Sequence, residues 1–213
     1  MLEVEIWSDV MCPFCYIGKR KFEKAIEQFE NRNLVKIHWK SFLLDPDLVS
    51  DKSKSIHQHL SEAKGWSLSY AQEMNAYVSE MATKEGLNYN MNAIKVANTF
   101  NAHRLIQMAK TRQLATEAEE ALFKAYFCEG KDLADTEVLV QLSEKIGLDP
   151  SETLKVLEGR EYTNEVLRDL KEADSIGVSG VPYFLFNRKF AVSGAQDSRV
   201  FLDAMRKAMQ VSK

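Results

Sequence analysis

The sequence predicts an α/β domain, with helices packed on a small sheet, that is interrupted by a large all-helical insertion. Three observations lead to this prediction. They are a strand–helix–strand pattern at the start, more than one hundred residues of helical periodicity without a strand signal, and a helix–strand–strand–helix pattern at the end. The two outer segments together form one α/β layer structure. A chain of 213 residues is long enough for one such domain with an insertion.

The first segment has the pattern of a strand–helix–strand unit. Apolar and charged residues alternate over 2–7, which indicates a strand with one face buried. From Pro13 the apolar residues take helical spacing to about residue 31, and strand character returns over 34–44, where Asp45-Pro46 ends it. A crossover of this length makes the two strands parallel.

The middle of the chain carries helical periodicity that is broken at glycines, and it shows no strand signal. Asp149-Pro150, followed closely by an acidic residue, is a typical helix start, with a polar cap and proline at the first helical position. The pattern predicts seven helices, near residues 53–64, 67–85, 93–112, 115–128, 135–146, 150–158 and 162–175.

The last segment predicts two short strands, over 182–186 and 189–192, joined at Asn187-Arg188, and a closing helix over 197–209. The order β, α, β, helical block, α, β, β, α is that of a thioredoxin-like fold with an interruption. The expected boundaries are 1–46 and 161–213 for the thioredoxin-like domain and 47–160 for the inserted helical domain.

Composition and charge exclude several classes of protein. With 45% hydrophobic and 28% charged residues, and only 4 Pro and 9 Gly, the chain is neither disordered nor collagen-like. The net charge of −3, without blocks of like charge, predicts no nucleic-acid partner. No apolar stretch is long enough to span a membrane, and acidic residues stand where a signal peptide needs basic ones. We therefore expect a cytoplasmic protein with no membrane partner.

Two cysteines, Cys12 and Cys15, stand where the first strand gives way to its helix. Pro13 suits the first helical position, which places Cys12 at the N-cap, where the helix dipole stabilises a thiolate. Because the thiolate is the nucleophile in disulfide exchange, we expect Cys12 to attack disulfides. Cys15, one turn into the helix, is then the resolving cysteine. Pro13 and Phe14, between the two, are candidate substrate contacts.

Half of a zinc site is the alternative interpretation of this cysteine pair. It needs two further ligands, and the sequence has no second pair of this spacing. His57 and His59 are two apart on a predicted helix and therefore point in different directions. We expect no metal site. Cys128 is expected to be a packing residue of a helix, and a third redox thiol is the alternative.

Pro182 begins the third predicted strand, within the stretch 177–183. A proline there can simply avoid a missing donor in the sheet, and an ordinary X-Pro bond is trans. In a thioredoxin-like sheet, however, this turn lies beside the cysteine helix. We therefore expect a cis bond between Val181 and Pro182, which would present the Val181 backbone for strand-like pairing with a substrate chain.

Four stretches, spread over nearly the whole chain, carry a resemblance to a known family. They are residues 8–18, 97–104, 122–127 with 129–132, and 180–184 with 193–196. In these stretches the chain resembles the DsbA-like thioredoxin family, in particular its FrnE-type branch of dithiol-disulfide oxidoreductases and isomerases. The resemblance implies a thioredoxin fold with a helical domain inserted over the active site. It implies no bound cofactor, with glutathione as a candidate redox partner.

The resemblance also bears on single residues. Taken alone, Asn98, Thr99 and His103 fit surface, backbone-bonding or packing roles. The family likeness implies that this stretch faces the cysteine pair, which makes the three candidate substrate contacts. Two positions depart from the family pattern. Phe14 stands where an aromatic such as Trp is common, and Cys128 where a small polar residue such as Thr is expected.

The expected function is thiol–disulfide exchange on a protein or a small molecule, as a reductase or isomerase, because a cytoplasmic chain faces a reducing glutathione pool. The alternative is a glutathione-dependent transferase or isomerase of the kappa or 2-hydroxychromene-2-carboxylate type. Those enzymes place serine where Cys12 stands, so the cysteine pair favours dithiol chemistry. A non-catalytic chaperone is a third possibility. The oligomeric state is left open.

Overall fold

The computed structural model describes residues 1–211, and these contain four strands and nine α-helices. The strands are β1 (Leu2–Ser8), β2 (Val35–Ser41), β3 (Tyr183–Phe186) and β4 (Phe190–Ser193). The helices are α1 (Pro13–Gln28), α2 (Ile56–Lys64), α3 (Leu68–Lys84), α4 (Phe100–Thr111), α5 (Ala115–Phe123), α6 (Thr136–Lys145), α7 (Pro150–Glu158), α8 (Thr163–Ser175) and α9 (Ser198–Gln210). This confirms the predicted α/β fold with a large helical insertion.

The strands form one mixed sheet in the order β2-β1-β3-β4. β1 runs parallel to β2, with Ser8 opposite Ser41 at the end of the ladder, and β3 pairs antiparallel with both β1 and β4. Residues 187–189 join β3 to β4, and Asn187 and Arg188 have φ angles of 48° and 53°. Two consecutive positive φ values are what a tight hairpin turn requires. The predicted parallel pair and the predicted hairpin are both confirmed.

One face of the sheet is covered by α1 and α9 through a cluster of phenylalanines. Phe22 of α1 lies 5.2 Å from Phe184, measured between ring centroids, and Phe201 of α9 lies 4.6 Å from the same ring. Phe184 pairs with Ile6 in the sheet, so Ile6 faces α1 and α9 as well. Side chains alternate along a strand, and Ser8 at the end of β1 therefore lies on the same face as Ile6.

The other face of β1 is also buried, which corrects the expectation of a strand with a single buried face. Trp7 is fully buried and packs against Ala173 and Val178, and its indole N–H donates to the carbonyl of Asp169 over 3.2 Å. β1 is a central strand, and the end of α8 with the segment that follows it covers this side. The glutamates that alternate with apolar residues in β1 suggest an exposed face, but Glu5 on that face is buried as well.

The chain divides into two compact units. The sheet unit comprises residues 1–44 and the chain from 168 onward, and the inserted unit comprises residues 45–167. The sequence placed the insertion at 47–160. Among residues 1–211, no helix combines the length and the apolar character that crossing a bilayer requires.

The largest difference from the predicted helices concerns α4, which begins at Phe100 and not near residue 93. Residues 91–93 form a short 3-10 turn, and Val96 then forms an isolated bridge with Asp51. Asn98 ends this extended segment, because its Oδ1 accepts the N–H of Phe100 over 2.9 Å. Residues 91–99, whose apolar spacing resembles that of a helix, therefore form a 3-10 turn and a β-bridge before α4 starts.

Candidate active site

Cys12 is the N-cap residue of α1. Its backbone is extended, with φ −87° and ψ 111°, and Pro13 takes the first helical position. The Cys12 N–H donates to the carbonyl of Asp9 over 2.9 Å, and the Cys15 N–H donates to the carbonyl of Cys12 over 3.0 Å. The predicted position of the cysteine pair is therefore confirmed. The first turn of α1, with its unpaired backbone N–H groups, begins directly after Cys12.

The loop before β3 lies against Cys12. The Cys12 thiol donates to the carbonyl of Val181, with 3.5 Å between Sγ and oxygen. The peptide bond between Val181 and Pro182 is cis, as predicted, and the carbonyl of Pro182 accepts the N–H of Gly194 over 2.8 Å. The structure thus brings together Cys12, Val181 and Pro182, three of the residues that the sequence singled out.

The two cysteines differ in their surroundings. Cys12 is 4% exposed and Cys15 is 2% exposed, while Phe14 between them is 36% exposed. Burial raises the pKa of the Cys15 thiol well above its usual value, and the hydrogen bond to Cys12 and the charge of Cys12 raise it further. Cys15 is therefore held as a neutral thiol beside Cys12.

Asp9, which was not among the predicted site residues, fixes the loop that precedes the cysteine pair. Its carboxylate accepts the N–H of Met11 over 3.2 Å and the N–H of Leu44 over 2.8 Å. Asp9 is fully buried. An aspartate between the end of a buried strand and the N-cap residue of the next helix is the sequence signal that could have identified it, since a carboxylate at such a turn commonly accepts backbone N–H groups.

Gly18 allows α1 to approach the loop of Pro182 closely. A Cβ atom at this position would lie 2.9 Å from Cγ of Pro182 and 3.6 Å from Cα of Ala195. The proline ring is tied to the backbone and cannot turn away as a flexible side chain would. The absence of a side chain at Gly18 therefore helps to set where the Val181 carbonyl meets Cys12.

Gly18→Ala is expected to destabilise the protein by about 1–3 kcal/mol, because the added methyl group overpacks the contact with Pro182. Displacement of the loop should also slow thiol–disulfide exchange. Urea unfolding and exchange rates measure the two effects. Gly180→Ala is the matched control, since a Cβ there meets no atom within 4 Å, and its stability should be near wild type. Equal stability of the two variants would contradict the packing argument.

A cluster of charged residues packs on the Trp7 face of the sheet, and no pattern in the sequence predicts it. The Lys40 ammonium lies 2.8 Å from a carboxylate oxygen of Glu172 and 3.4 Å from one of Asp169, and it lies 5.8 Å from the centre of the Trp7 ring. Burial alone would lower the pKa of Lys40, but the hydrogen bond to Glu172 and the charges of Asp169, Glu172 and Glu5 raise it. The cluster ties α8 to the sheet behind Trp7.

The candidates Asn98, Thr99 and His103 lie in the inserted unit, at and just before the start of α4. The Asn98 amide nitrogen donates to the carbonyls of Pro46 and Leu48, over 3.3 and 3.0 Å. Thr99 and His103 are buried. Asn98 therefore stabilises the segment 46–48, at the start of the insertion, through these hydrogen bonds. The role of all three residues toward a substrate stays a prediction.

Cys128 ends a short π-helical turn, Lys124–Cys128, that continues α5. Its side chain is half-buried, and burial raises the pKa of its thiol. His57, which entered the zinc alternative, is hydrogen-bonded to Asn92 and Asn75 over 3.0 and 2.9 Å. Across residues 1–211, no group of three or more His, Cys, Asp or Glu side chains has the geometry to hold a metal ion.

Comparison with known proteins shows similarity to one family along nearly the whole chain. The family model described as DSBA-like thioredoxin domain matches residues 3–206. The crystal structure of a probable DsbA oxidoreductase from Streptomyces coelicolor superposes with a TM-score of 0.94 at 36% identity, over 99% of this chain and 91% of that one. YwbO, an uncharacterised protein of Bacillus subtilis (strain 168), is 29% identical over 212 residues, 96% of each chain.

A more distant likeness is to the cytosolic disulfide reductase DsbM from Pseudomonas aeruginosa, in its structure with GSH. It has a TM-score of 0.67 at 13% identity, over 99% of this chain and 98% of that one. At this identity the likeness concerns the fold.

Proposed function

Since the chain belongs to the DsbA-like thioredoxin family, we propose that it is a dithiol–disulfide oxidoreductase with Cys12 as nucleophile and Cys15 as resolving cysteine. The observation that carries the proposal is the position of Cys12, which is the N-cap residue of α1 and whose Sγ lies 3.5 Å from the Val181 carbonyl oxygen. A nucleophilic thiolate needs a nearby positive potential, and the start of α1 supplies it.

The proposed reaction has two steps. The Cys12 thiolate attacks one sulfur of a substrate disulfide, forms a mixed disulfide and releases the other sulfur as a thiolate. Cys15 then loses its proton and attacks the Cys12 sulfur, which closes the Cys12–Cys15 disulfide and releases the second substrate thiolate. The raised pKa of Cys15 keeps this thiol neutral during the first step. A single nucleophile is thereby presented to the substrate.

Substrate docking is proposed at the loop beside Cys12. Val181 and Pro182 precede β3, and the backbone of Val181 would pair with an extended segment of a substrate protein or with the amides of a small peptide disulfide. Phe14 is the exposed aromatic of the cysteine turn and would pack on the substrate, next to Pro13. Main-chain pairing of this kind is tolerant of sequence.

The direction that we propose is reduction or isomerisation in the cytoplasm, with glutathione as redox partner. The DsbM neighbour, which has the same fold, is a cytosolic disulfide reductase whose structure contains GSH. In a compartment poised by reduced glutathione, a dithiol enzyme of this kind rests in the reduced state and acts on oxidised substrates.

The test is the redox equilibrium of the Cys12–Cys15 pair against glutathione, in a Cys128→Ser background, read by alkylation and mass spectrometry. We expect an internal disulfide with a potential between about −180 and −270 mV, the range that runs from protein disulfide isomerase to thioredoxin. A potential near that of DsbA, about −120 mV, would contradict the direction and indicate an oxidant. If no internal disulfide forms at any poise, the dithiol function itself is wrong.

A further inference from the structure

Ser8 carries a buried hydroxyl at the end of β1. The residue is 0% exposed, and among residues 1–211 its Oγ has no hydrogen-bond partner. Alternation along β1 places its side chain on the face that α1 covers, as for Ile6, which pairs with Phe184 against Phe22 of α1. A fully buried hydroxyl without a partner is costly, and such groups in folded proteins call for an explanation.

Cys15 lies on the same face, in the first turn of α1, and is itself buried. The Ser8 side chain and the Asp9 backbone both lower the pKa of Cys15, against the larger opposite effect of burial. Both groups are therefore near enough to its sulfur to favour the thiolate. The Ser8 hydroxyl has no partner within hydrogen-bond geometry among residues 1–211, and Cys15 is the thiol whose pKa its side chain lowers.

We propose that Ser8 is the hydrogen-bond donor that stabilises the Cys15 thiolate during resolution of the mixed disulfide, with the Asp9 N–H as the second donor. This proposal rests on the proposed function and assigns a residue to its second step. It explains why a polar side chain occupies a core position at the end of an otherwise apolar strand face.

In the mixed disulfide, the Cys15 thiol releases its proton to water, and the Ser8 hydroxyl turns its hydrogen toward the sulfur anion. The thiolate attacks the Cys12 sulfur, the bond between that sulfur and the substrate sulfur breaks, and the substrate leaves as a thiolate. Over both steps the substrate disulfide gains two electrons and the cysteine pair loses two. Ser8 is neither consumed nor ionised.

The experiment uses the full chain in a Cys128→Ser background with dithiobis(nitrobenzoate), an aromatic disulfide that releases a coloured thiolate at each step. The fast phase reports attack by Cys12, and the slow phase reports attack by Cys15. In Ser8→Ala we expect the fast phase to be unchanged and the slow phase to fall about tenfold, as expected for losing one hydrogen bond to a charged group. The pH midpoint of the slow phase should rise by about one unit.

Ser41→Ala is the matched control. Ser41 is a buried serine opposite Ser8 on β2, and its loss should leave both phases unchanged. Ser8→Thr keeps the hydroxyl and should restore a slow phase close to wild type. This variant also serves if Ser8→Ala does not fold.

Two outcomes would overturn the assignment: an unchanged rate and pH profile of the slow phase in folded Ser8→Ala, or a tenfold loss in folded Ser8→Thr. Absence of a slow phase in the parent protein would instead contradict the dithiol function itself.

Discussion

Replacing Cys12 with serine is expected to lower the rate of disulfide exchange by at least about 1000-fold, because the hydroxyl that replaces the thiolate does not attack sulfur at neutral pH. The N-cap position of Cys12 and its contact with the Val181 carbonyl would be retained by serine, which has nearly the same shape. The loss would therefore report chemistry rather than folding. The measurement is the rate at which the protein reduces a dye-labelled glutathione disulfide while an added reductant regenerates its dithiol form.

The companion variant Cys15→Ser should behave differently. It keeps the nucleophile, so the first attack should proceed, but the mixed disulfide on Cys12 cannot be resolved from within the chain. Intact-protein mass spectrometry should then show a stable adduct of one glutathione per chain. Cys128→Ser is the matched control, since it removes the remaining cysteine of the chain, and it should retain both turnover and clean release.

The outcomes separate the two candidate functions. Retained turnover in Cys12→Ser would contradict the dithiol mechanism and favour a glutathione-dependent transferase or isomerase, in which a serine hydroxyl can hydrogen-bond the thiolate of glutathione. A stable adduct on Cys128 in the wild-type chain would show that a third thiol takes part. Loss in Cys12→Ser with trapping in Cys15→Ser is the pattern that the proposed mechanism requires.

Much of this site could be predicted because its signals are local. Cys12 and Pro13 adjoin one another and form a capping pattern that fixes the helix start within one residue. The cis bond before Pro182 was expected from the order of the elements, because a thioredoxin-like sheet places this turn beside the cysteine helix. The pairing of β1 with β2 is similarly set by a crossover of ordinary length.

The missed features depend on contacts between distant segments. The Arg188 guanidinium bonds to Glu5, 183 positions away, in the charged cluster behind Trp7. The residues next to Glu5 and Arg188 in the sequence do not indicate this pairing. The alternating glutamates of β1 instead suggest a strand with one exposed face. The start of α4 was misplaced for the same reason, since the bridge from Val96 to Asp51 is a tertiary contact that overrides helical spacing.

Arg104 is the residue of the inserted unit whose replacement should cost most stability. It lies on α4, is 4% exposed, and directs its guanidinium at the end of α7. It donates to the carbonyls of Glu161 over 2.8 Å, Gly159 over 3.0 Å and Leu157 over 3.3 Å, and also to that of Val156. The last carbonyls of a helix have no partner within the helix, so Arg104 satisfies the buried carbonyls of Val156 and Leu157 at the end of α7.

Arg104→Met is expected to destabilise the protein by about 3–5 kcal/mol, since it keeps the apolar stem but removes the donor from the buried carbonyls of Val156 and Leu157. Urea unfolding followed by circular dichroism is the measurement. Arg112→Ala is the matched control: Arg112 follows α4 directly and forms an exposed ion pair with Glu152. Its loss should cost less than about 1 kcal/mol.

The same pair of variants separates a structural role of α4 from a catalytic one. Asn98, Thr99 and His103 lie at or just before the start of α4, the helix that carries Arg104. Arg104→Met removes the hydrogen bonds between α4 and the end of α7, so it tests whether these candidate substrate contacts need a rigid α4. If the cysteine pair acts on small disulfides by itself, Arg104→Met should keep its turnover below the unfolding transition. Lost turnover in a folded Arg104→Met protein, with Arg112→Ala unaffected, would instead assign α4 a part in the reaction. A stability equal to that of Arg112→Ala would contradict the capping role that the hydrogen bonds give to Arg104.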